Sequence, residues 1–376
     1  MDTVRIGLLG AGMISQKHLN MYAQIPEAQV VAVCSRTQQS AERCAQQFGI
    51  PNVYTDYTAM LQRDDIDAID ICLHGNLHAS AAIQALQAGK HVYCEKPLAG
   101  SYYDGKAMLD AAAASGKTLH IQLGFLYRPY ARAAKRLVDG GALGEIYHAR
   151  TVGFRRRNRP FVDGFGSKDF VNSKTAGGGA LYDFGIYHIS LMLYLMGMPA
   201  PRRMSGQLYQ KIAMDEARRL ESGFDVEELG VGLVRFDRQV TMDLFESWAV
   251  HLDQMDPGIL LGSKGGLKLE PFSFHTTICD TELDCTGDLE KMNFRWLNTQ
   301  PLEYAYASSE AHWIAALLGR VPMLPTAQLA LDTLLIQDGI RLSSQLGREV
   351  TAEETIAASV STAAAISVME VPYETQ

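Results

Sequence analysis

The sequence predicts an α/β protein with two folded units: an N-terminal doubly wound parallel sheet and a C-terminal α+β domain with a large open, mainly antiparallel sheet. Three observations lead there. Short apolar runs alternate with alanine-rich helical stretches from Val4 to Gln122. A glycine-rich turn follows the first of those runs. Beyond Gly124, long alternating segments recur with few helices between them, the pattern of an antiparallel sheet with one covered face. The predicted boundaries are 1–124 for the first domain, 125–350 for the second and 351–376 for a C-terminal arm, either helical or frayed.

Val4-Arg5-Ile6-Gly7-Leu8-Leu9 reads as a buried parallel strand, and Gly10-Ala11-Gly12-Met13-Ile14-Ser15 follows it. Gly10 permits a tight turn and Gly12 a close approach of the backbone to a pyrophosphate. A helix opening at Met13 and Ile14 aims its free N–H groups at that charge. Ser15 stands where a third glycine is usual. A second run, Val30 to Cys34, returns roughly 20 residues later, the spacing of a dinucleotide-binding Rossmann unit. It ends on Ser35-Arg36-Thr37 rather than on the carboxylate that accepts from an NAD ribose. Ser35 can serve the ribose, and Arg36 offers a planar fork of donors to a 2′-phosphate, which favours NADP(H) over NAD(H). Further strands are expected at Ile69 to Leu73, His91 to Cys94 and Thr118 to Gln122. The stretches Ala79 to Ala88 and Lys106 to Ala114 read as helices stopped by Gly89 and Gly116.

In the second domain a helix is expected over Tyr130 to Asp139, then a strand over Glu145 to Arg157 and a helix over Asp183 to Met196. Strands follow near 202–210, 228–236, 239–248 and 266–270, and helices over Ser309 to Leu318 and Thr326 to Gln345. At 376 residues, 47% hydrophobic and net charge −8, the chain is an ordinary two-core protein with neither nucleic acid nor an anionic membrane as its expected partner. No stretch approaches 18 uninterrupted apolar residues and no basic leader precedes the first strand, so a cytoplasmic location is expected. Six cysteines at 34, 44, 72, 94, 279 and 285 lack metal-ligand spacing and read as free thiols, with no metal expected.

The most unusual segment is Gly177-Gly178-Gly179-Ala180-Leu181-Tyr182-Asp183-Phe184-Gly185-Ile186-Tyr187-His188. The helix it opens is apolar on most faces, so Asp183, Tyr187 and His188 are polar groups that need a reason. Asp183 and Tyr187 are four apart and share a helix face. A capping aspartate, a core tyrosine and a packed histidine are the structural alternatives.

The Gly10 turn, the run His91-Val92-Tyr93-Cys94-Glu95-Lys96-Pro97-Leu98, the glycine-rich segment through Tyr187 and Gly262-Ser263-Lys264-Gly265-Gly266 together resemble the Gfo/Idh/MocA family, in order and through nearly the whole chain. The resemblance implies hydride transfer at a sugar or cyclitol carbinol, NAD(P)(H) as cofactor, and a homodimer or homotetramer formed through the second sheet. It places the family's lysine on Lys96 and its Asp-x-x-x-His element on Asp183 and Tyr187, so tyrosine replaces the commoner histidine. His188 becomes a neighbour that contacts substrate. The usual Thr-Pro-Asn departs to His74-Gly75-Asn76, with Asn76 and His78 left as cofactor contacts and the role of His74 open. Glu95 is expected at the nicotinamide ribose or fixing Lys96. Arg128 and Arg155-Arg156-Arg157 lie within reach of the pocket, Arg156 being the named substrate contact, and His312 is expected to pack.

The expected chemistry has Tyr187 taking the carbinol proton with Lys96 assisting and Asp183 holding a neighbouring hydroxyl. Bringing a phenol from a pKa of about 10 to near 7 needs roughly 4 kcal/mol, about what an ammonium 4 Å away supplies at an effective dielectric near 20. Candidate substrates are sugars, glycosides oxidised at C3, and cyclitols. The competing readings are an enzyme that keeps its dinucleotide bound and shuttles hydride between two carbohydrates, and a non-catalytic sugar or dinucleotide sensor.

Overall fold

The computed structural model describes residues 2–255 and 258–366. Six parallel strands form the first sheet: β1 (Val4–Leu9), β2 (Ala28–Cys34), β3 (Asn52–Tyr54), β4 (Ala68–Ile71), β5 (His91–Cys94) and β6 (Leu119–Ile121). Their order is β3-β2-β1-β4-β5-β6. The order reverses between β1 and β4, which opens a crevice at the carboxyl ends of those strands, where such sheets bind ligands. β3 leaves no signal in the sequence: three residues at the sheet edge are too few to display a period. Gly116 adopts φ +66° where the helix Tyr102–Ser115 ends, as its stop signal predicts.

Nine strands form the second sheet: β7 (Ile146–Gly153), β8 (Pro201–Tyr209), β9 (Leu229–Phe236), β10 (Thr241–Ser247), β11 (Ile259–Gly262), β12 (Gly265–Lys268), β13 (Ser273–Ile278), β14 (Thr281–Thr286) and β15 (Val350–Thr351). The order is β14-β13-β12-β11-β7-β10-β9-β8-β15, antiparallel except for the central β7–β10 pair. The expected strand through Arg157 stops at Gly153. The β13–β14 hairpin is invisible to sequence patterning because its residues are half-exposed or exposed on both faces, so no apolar alternation marks it.

The helix Thr326–Leu346 ties the two sheets together. Leu331 and Leu334 reach the Gly105 position of the first domain, and Ile340 fills a groove over Gly206 and Gly232 of the second sheet, where a Cβ would lie 2.8 and 2.2 Å from its side chain. Asp338 on the same helix accepts from the Tyr102 N–H at 2.9 Å and from the Tyr182 hydroxyl at 2.7 Å, so one carboxylate joins a first-domain helix to the glycine-rich loop. Helix Ser309–Leu317, although late in the chain, buries Trp313 and Ile314 against Val4, Ile6, Tyr22 and Tyr93 of the first domain. The C-terminal arm is ordered at its start: a capping box of Thr351 and Glu354 begins the helix Ala352–Ala358. The following residues run back to the first domain, where Ser361 and Thr362 donate to Asp104 and the Ala364 N–H donates to the Asn76 carbonyl. Residues 367–376 of the expected arm lie outside the described residues. Among those described, no helix is long and apolar enough to cross a membrane.

His312 packs as expected, fully buried among the rings of His120, Tyr127 and Tyr306, and its Nε2 accepts from the Leu324 N–H at 2.9 Å. Burial pushes its pKa down from 6.5 to about 4. The unfolded chain then binds the proton more readily, so the stability this neutral histidine contributes is complete above pH 6.5 and is lost as pH falls toward 4. Between pH 7 and pH 5 the wild-type protein should lose about 2 kcal/mol more than a His312→Asn variant, read by urea denaturation. Parallel pH curves for the two proteins would contradict this.

Candidate active site

Glycine prepares the first-domain edge for a dinucleotide. Gly10 sits at φ +104°, and a Cβ there would lie 2.3 Å from the Cys72 carbonyl oxygen just past β4, so no other residue can make the turn from β1 into the helix Met13–Tyr22. Gly12 faces open space, with no neighbouring atom within 4 Å of where a Cβ would stand. The helix Met13–Tyr22 begins without a side-chain cap, which leaves its first N–H groups to an anion. Met13 is exposed, Ile14 half-buried, and the Ser15 hydroxyl bonds the Gly12 carbonyl at 2.6 Å, replacing the third glycine with an internal hydrogen bond. Ser35 and the exposed Arg36 stand at the end of β2, ahead of the Thr37 cap of helix Gln38–Phe48. These residues fit a dinucleotide: a phosphate cradle, then a ribose end with a serine and an exposed guanidinium.

Lys96 leaves the end of β5 and crosses to the second domain. Its Nζ donates to Asp183 Oδ1 at 2.7 Å and to the Asp183 carbonyl at 3.3 Å, and it lies 4.8 Å from the centre of the Tyr187 ring. Asp183 Oδ2 accepts from Trp248 Nε1 at 3.2 Å, so both carboxylate oxygens are held. Burial disfavours both charges, but each outweighs it for the other: the Lys96 ammonium is held well above its usual pKa by Asp183, and the Asp183 carboxyl below its usual range by Lys96. Asp183 ends the short turn Ala180–Asp183, and Tyr187 and His188 lie in the next helix, Gly185–Leu195. That helix is otherwise mostly buried, as its apolar faces predict; the half-exposed Tyr187 and His188 mark where it meets the cleft.

Behind Lys96 is a buried network that sequence patterning does not reveal. His18 Nδ1 pairs with Asp70 at 2.9 Å and Nε2 with Glu95 at 3.0 Å, while the Tyr22 hydroxyl also donates to Asp70 at 3.0 Å. Burial works against a charged imidazole here, yet Asp70 raises the His18 pKa well above 6.5, so an imidazolium bridges two carboxylates. Glu95 then accepts the Lys96 backbone N–H at 2.9 Å, which fixes the turn presenting the lysine. This supports the second of the two roles expected for Glu95. His18, Asp70 and Cys72 also have the spacing of a metal site, but both ring nitrogens of His18 already bond protein groups. The available signal is Asp70 itself, a charge in the middle of the buried run Ile69-Asp70-Ile71.

The glycine triplet has a partner as well. The Glu227 carboxylate accepts from the Gly179 N–H and the Leu181 N–H at 2.9 Å, capping the turn that carries Asp183. A Cβ on Gly179 would lie 1.9 Å from the Glu227 carbonyl oxygen, and one on Gly178 2.0 Å from the Tyr182 ring. Phe125 stacks on Tyr187 at 4.6 Å and meets His188 edge-on at 5.4 Å, with the Arg128 guanidinium 4.1 Å from its ring centre. Phe184 meets His188 at 4.9 Å.

Three expectations need correction. His78 is fully buried, with Nδ1 on the Pro97 carbonyl at 2.7 Å and Nε2 near the Leu73 carbonyl at 3.1 Å, so it braces the Lys96 turn instead of contacting a cofactor. Arg156 is exposed, and the arginine turned toward Asp183 is Arg155, whose guanidinium lies 4.5 Å over Phe184 and helps lower the Asp183 pKa. Lys96 does not bring the Tyr187 phenol toward neutrality: burial raises its pKa, Lys96 lowers it, and Glu95 and Asp183 add to the rise, with a net upward shift. The ammonium faces the ring, and its charge is already shared with Asp183. Asn76 is half-buried at the start of helix Gly75–Gln87, and the exposed His74 lies 3.7 Å from Asp169 of the second domain.

Residues 4–123 match the oxidoreductase family with an NAD-binding Rossmann fold, and residues 131–268 match the GFO/IDH/MocA C-terminal domain. The chain belongs to the Gfo/Idh/MocA family of oxidoreductases. It is similar to D-glucoside 3-dehydrogenase of Escherichia coli (strain K12), 29% identical over 73% of this chain and 79% of that protein. D-apiose dehydrogenase of Paraburkholderia graminis is 24% identical over 91% of this chain and 88% of that protein. Among solved structures, levoglucosan dehydrogenase in complex with NADH shares the fold with a TM-score of 0.79 at 21% identity, covering 93% of this chain and 99% of that one. In this family member the Lys96–Asp183 pair is open to a direct test. Replacing Asp183 by Asn removes the carboxylate while burial still disfavours the ammonium, so the Lys96 pKa falls. An amine-directed label at pH 8, followed by mass spectrometry, should modify Lys96 faster in Asp183→Asn than in wild type, roughly tenfold per pKa unit lost; equal rates would mean that Asp183 does not control the ammonium.

Proposed function

We propose that this protein is an NAD(P)-dependent dehydrogenase that oxidises a secondary carbinol of a sugar, glycoside or cyclitol, or reduces the corresponding ketone. The observation that carries the reading is Lys96 reaching from the dinucleotide-binding edge to Asp183, 2.7 Å away on the second domain. A cation held at that point orients a carbinol oxygen and stabilises the negative charge that develops there as hydride departs. The backbone of Gly10, Gly12, Met13 and Ile14, together with Ser35, Arg36 and Asn76, would hold the dinucleotide, which when bound supplies the hydride acceptor.

Tyr187, its phenol pushed up by burial, keeps its proton at neutral pH and donates a hydrogen bond to the substrate. Phe125 and Tyr187 stack on each other beside the charged groups, while Arg155 and Asp183 address hydroxyls of the substrate. Dehydrogenases of glucosides and apiose among the relatives support a carbohydrate over a hydroxy acid. The exposed outer strand β14 supports assembly of two or four copies through the second sheet.

Lys96→Met should abolish turnover, followed as absorbance at 340 nm with a panel of sugars, glycosides and inositols, while nucleotide binding by fluorescence titration stays nearly intact. Full activity in that variant would sink the reading. Arg36, exposed just past the end of β2, favours NADP(H). Arg36→Ala should weaken NADPH by roughly tenfold or more and leave NADH within a few-fold, a charge-assisted hydrogen bond being worth about 1.5–3 kcal/mol; equal losses for both nucleotides would remove the preference.

A further inference from the structure

Under the proposed function, the carbinol proton lacks an acceptor among the residues just described. Lys96 is a held ammonium, Tyr187 keeps its proton, and both oxygens of Asp183 are occupied by Lys96 and Trp248. One ring nitrogen beside Phe125 and Tyr187 is left without a partner among the described residues. His188 Nδ1 lies 2.9 Å from Glu246 Oε2, and among the described residues Nε2 has no protein hydrogen-bond partner. The His188 side chain is 18% exposed and Glu246 is 0% exposed, so the pair is accessible at one end and sealed at the other.

The fold makes room for this carboxylate. Glu246 lies on β10 opposite Gly153 of β7 and Gly230 of β9, so its cross-strand neighbours on both sides are glycines. A Cβ on Gly153 would fall 1.9 Å from Glu246 Oε2 and 2.8 Å from the His188 ring, and one on Gly185 would fall 3.2 Å from Glu246 Cγ. The other oxygen of Glu246, Oε1, is buried without any hydrogen-bond partner. A sealed carboxylate in such a position is costly unless a charge forms beside it. An imidazolium at His188 would supply that charge, and only when it has taken a proton.

We propose that His188, oriented by Glu246, is the proton acceptor of the reaction. Glu246 fixes the Nδ1–H tautomer and turns the Nε2 lone pair to the substrate, the logic of a carboxylate–histidine pair in acid–base catalysis. As the carbinol O–H bond breaks, its proton passes to Nε2. The C–H hydrogen leaves with its electron pair as hydride to the nicotinamide dinucleotide, and the C=O bond forms. The imidazolium then releases its proton to water. Reduction runs the same steps backwards. Glu246 from β10 is the charged group bonded to His188; Arg155 lies over the Phe184 ring and Arg128 over the Phe125 ring, the two aromatic neighbours of the imidazole, Tyr187 precedes it on its own helix, and the Lys96–Asp183 pair lies beyond Tyr187. His188 is thus the catalytic base and Glu246 a positioning residue.

The inference rests on the dehydrogenase reading, and the tests separate the two. His188→Ala should lower kcat by about 10²- to 10⁴-fold, the range for a lost general base, with KM within a few-fold, and added imidazole should restore part of the rate. Glu246→Leu, which leaves no acceptor at Nδ1, should lower kcat while 15N spectra of labelled histidine show the His188 Nδ1–H tautomer of the wild type lost. Wild-type kcat in His188→Ala, or loss in that variant without imidazole rescue, would overturn the assignment. So would an unchanged tautomer in Glu246→Leu. Wild-type protein inactive with every carbohydrate and both nucleotides would overturn the dehydrogenase reading itself, whatever the tautomer.

Discussion

The ion pair between Lys96 and Asp183 is the constraint on which the other features converge, because it joins two separately folded sheets at a single partly buried point. An unpaired ammonium or carboxylate there would cost several kcal/mol, so each partner has to be delivered to within hydrogen-bonding distance of the other. Each has its own support. On the first domain, Asp70, His18 and Glu95 form a chain of buried charges ending on the Lys96 backbone, and His78 holds the Pro97 carbonyl. On the second, Glu227 caps the turn of Asp183 and Trp248 holds its free oxygen. Helix Thr326–Leu346 keeps the domains in register through Asp338, which bonds one element of each.

Buried carboxylates and glycines occur together throughout this site, for a steric reason. A carboxylate enclosed by sheet or loop needs volume that neighbouring side chains would take, and glycine is the residue that leaves it. Gly153 and Gly185 make way for the Glu246 side chain, and Gly179 lets the Glu227 backbone come close enough for its carboxylate to cap the turn. The conformational freedom of these glycines matters less than the space they leave. Gly10 and Gly177, at positive φ, are different: there the backbone itself requires glycine.

The aromatic residues add a second kind of order. Phe125 packs against both Tyr187 and His188, with Arg128 over its ring, and Phe184 links His188 to Arg155. Rings of this kind lose little conformational freedom on binding and exclude water from the charges they border. The carbohydrate reading depends on the charges that these rings hold in place.

The sequence by itself determined the parallel sheet, the phosphate turn and several helix limits, because these follow from local periodicity and glycine placement, while family resemblance singled out Lys96, Asp183 and Tyr187; the helices Gln38–Phe48 and Leu289–Thr299 were not legible in it. The stop at Gly116 and the largely apolar helix ending at Leu195 are examples of legible limits. Tertiary structure alone decided which polar groups meet. His18 reaches Glu95 across 77 residues and Asp183 reaches Lys96 across 87, separations over which no pattern in the chain has a period. The inward turn of Arg155 rather than Arg156, the withdrawal of His78 and the upward shift of the Tyr187 phenol were likewise decided by burial and by neighbours brought from other elements. A spacing along the chain specifies which side chains share a strand or helix; the dielectric around them and the charges facing them depend on how the two sheets pack.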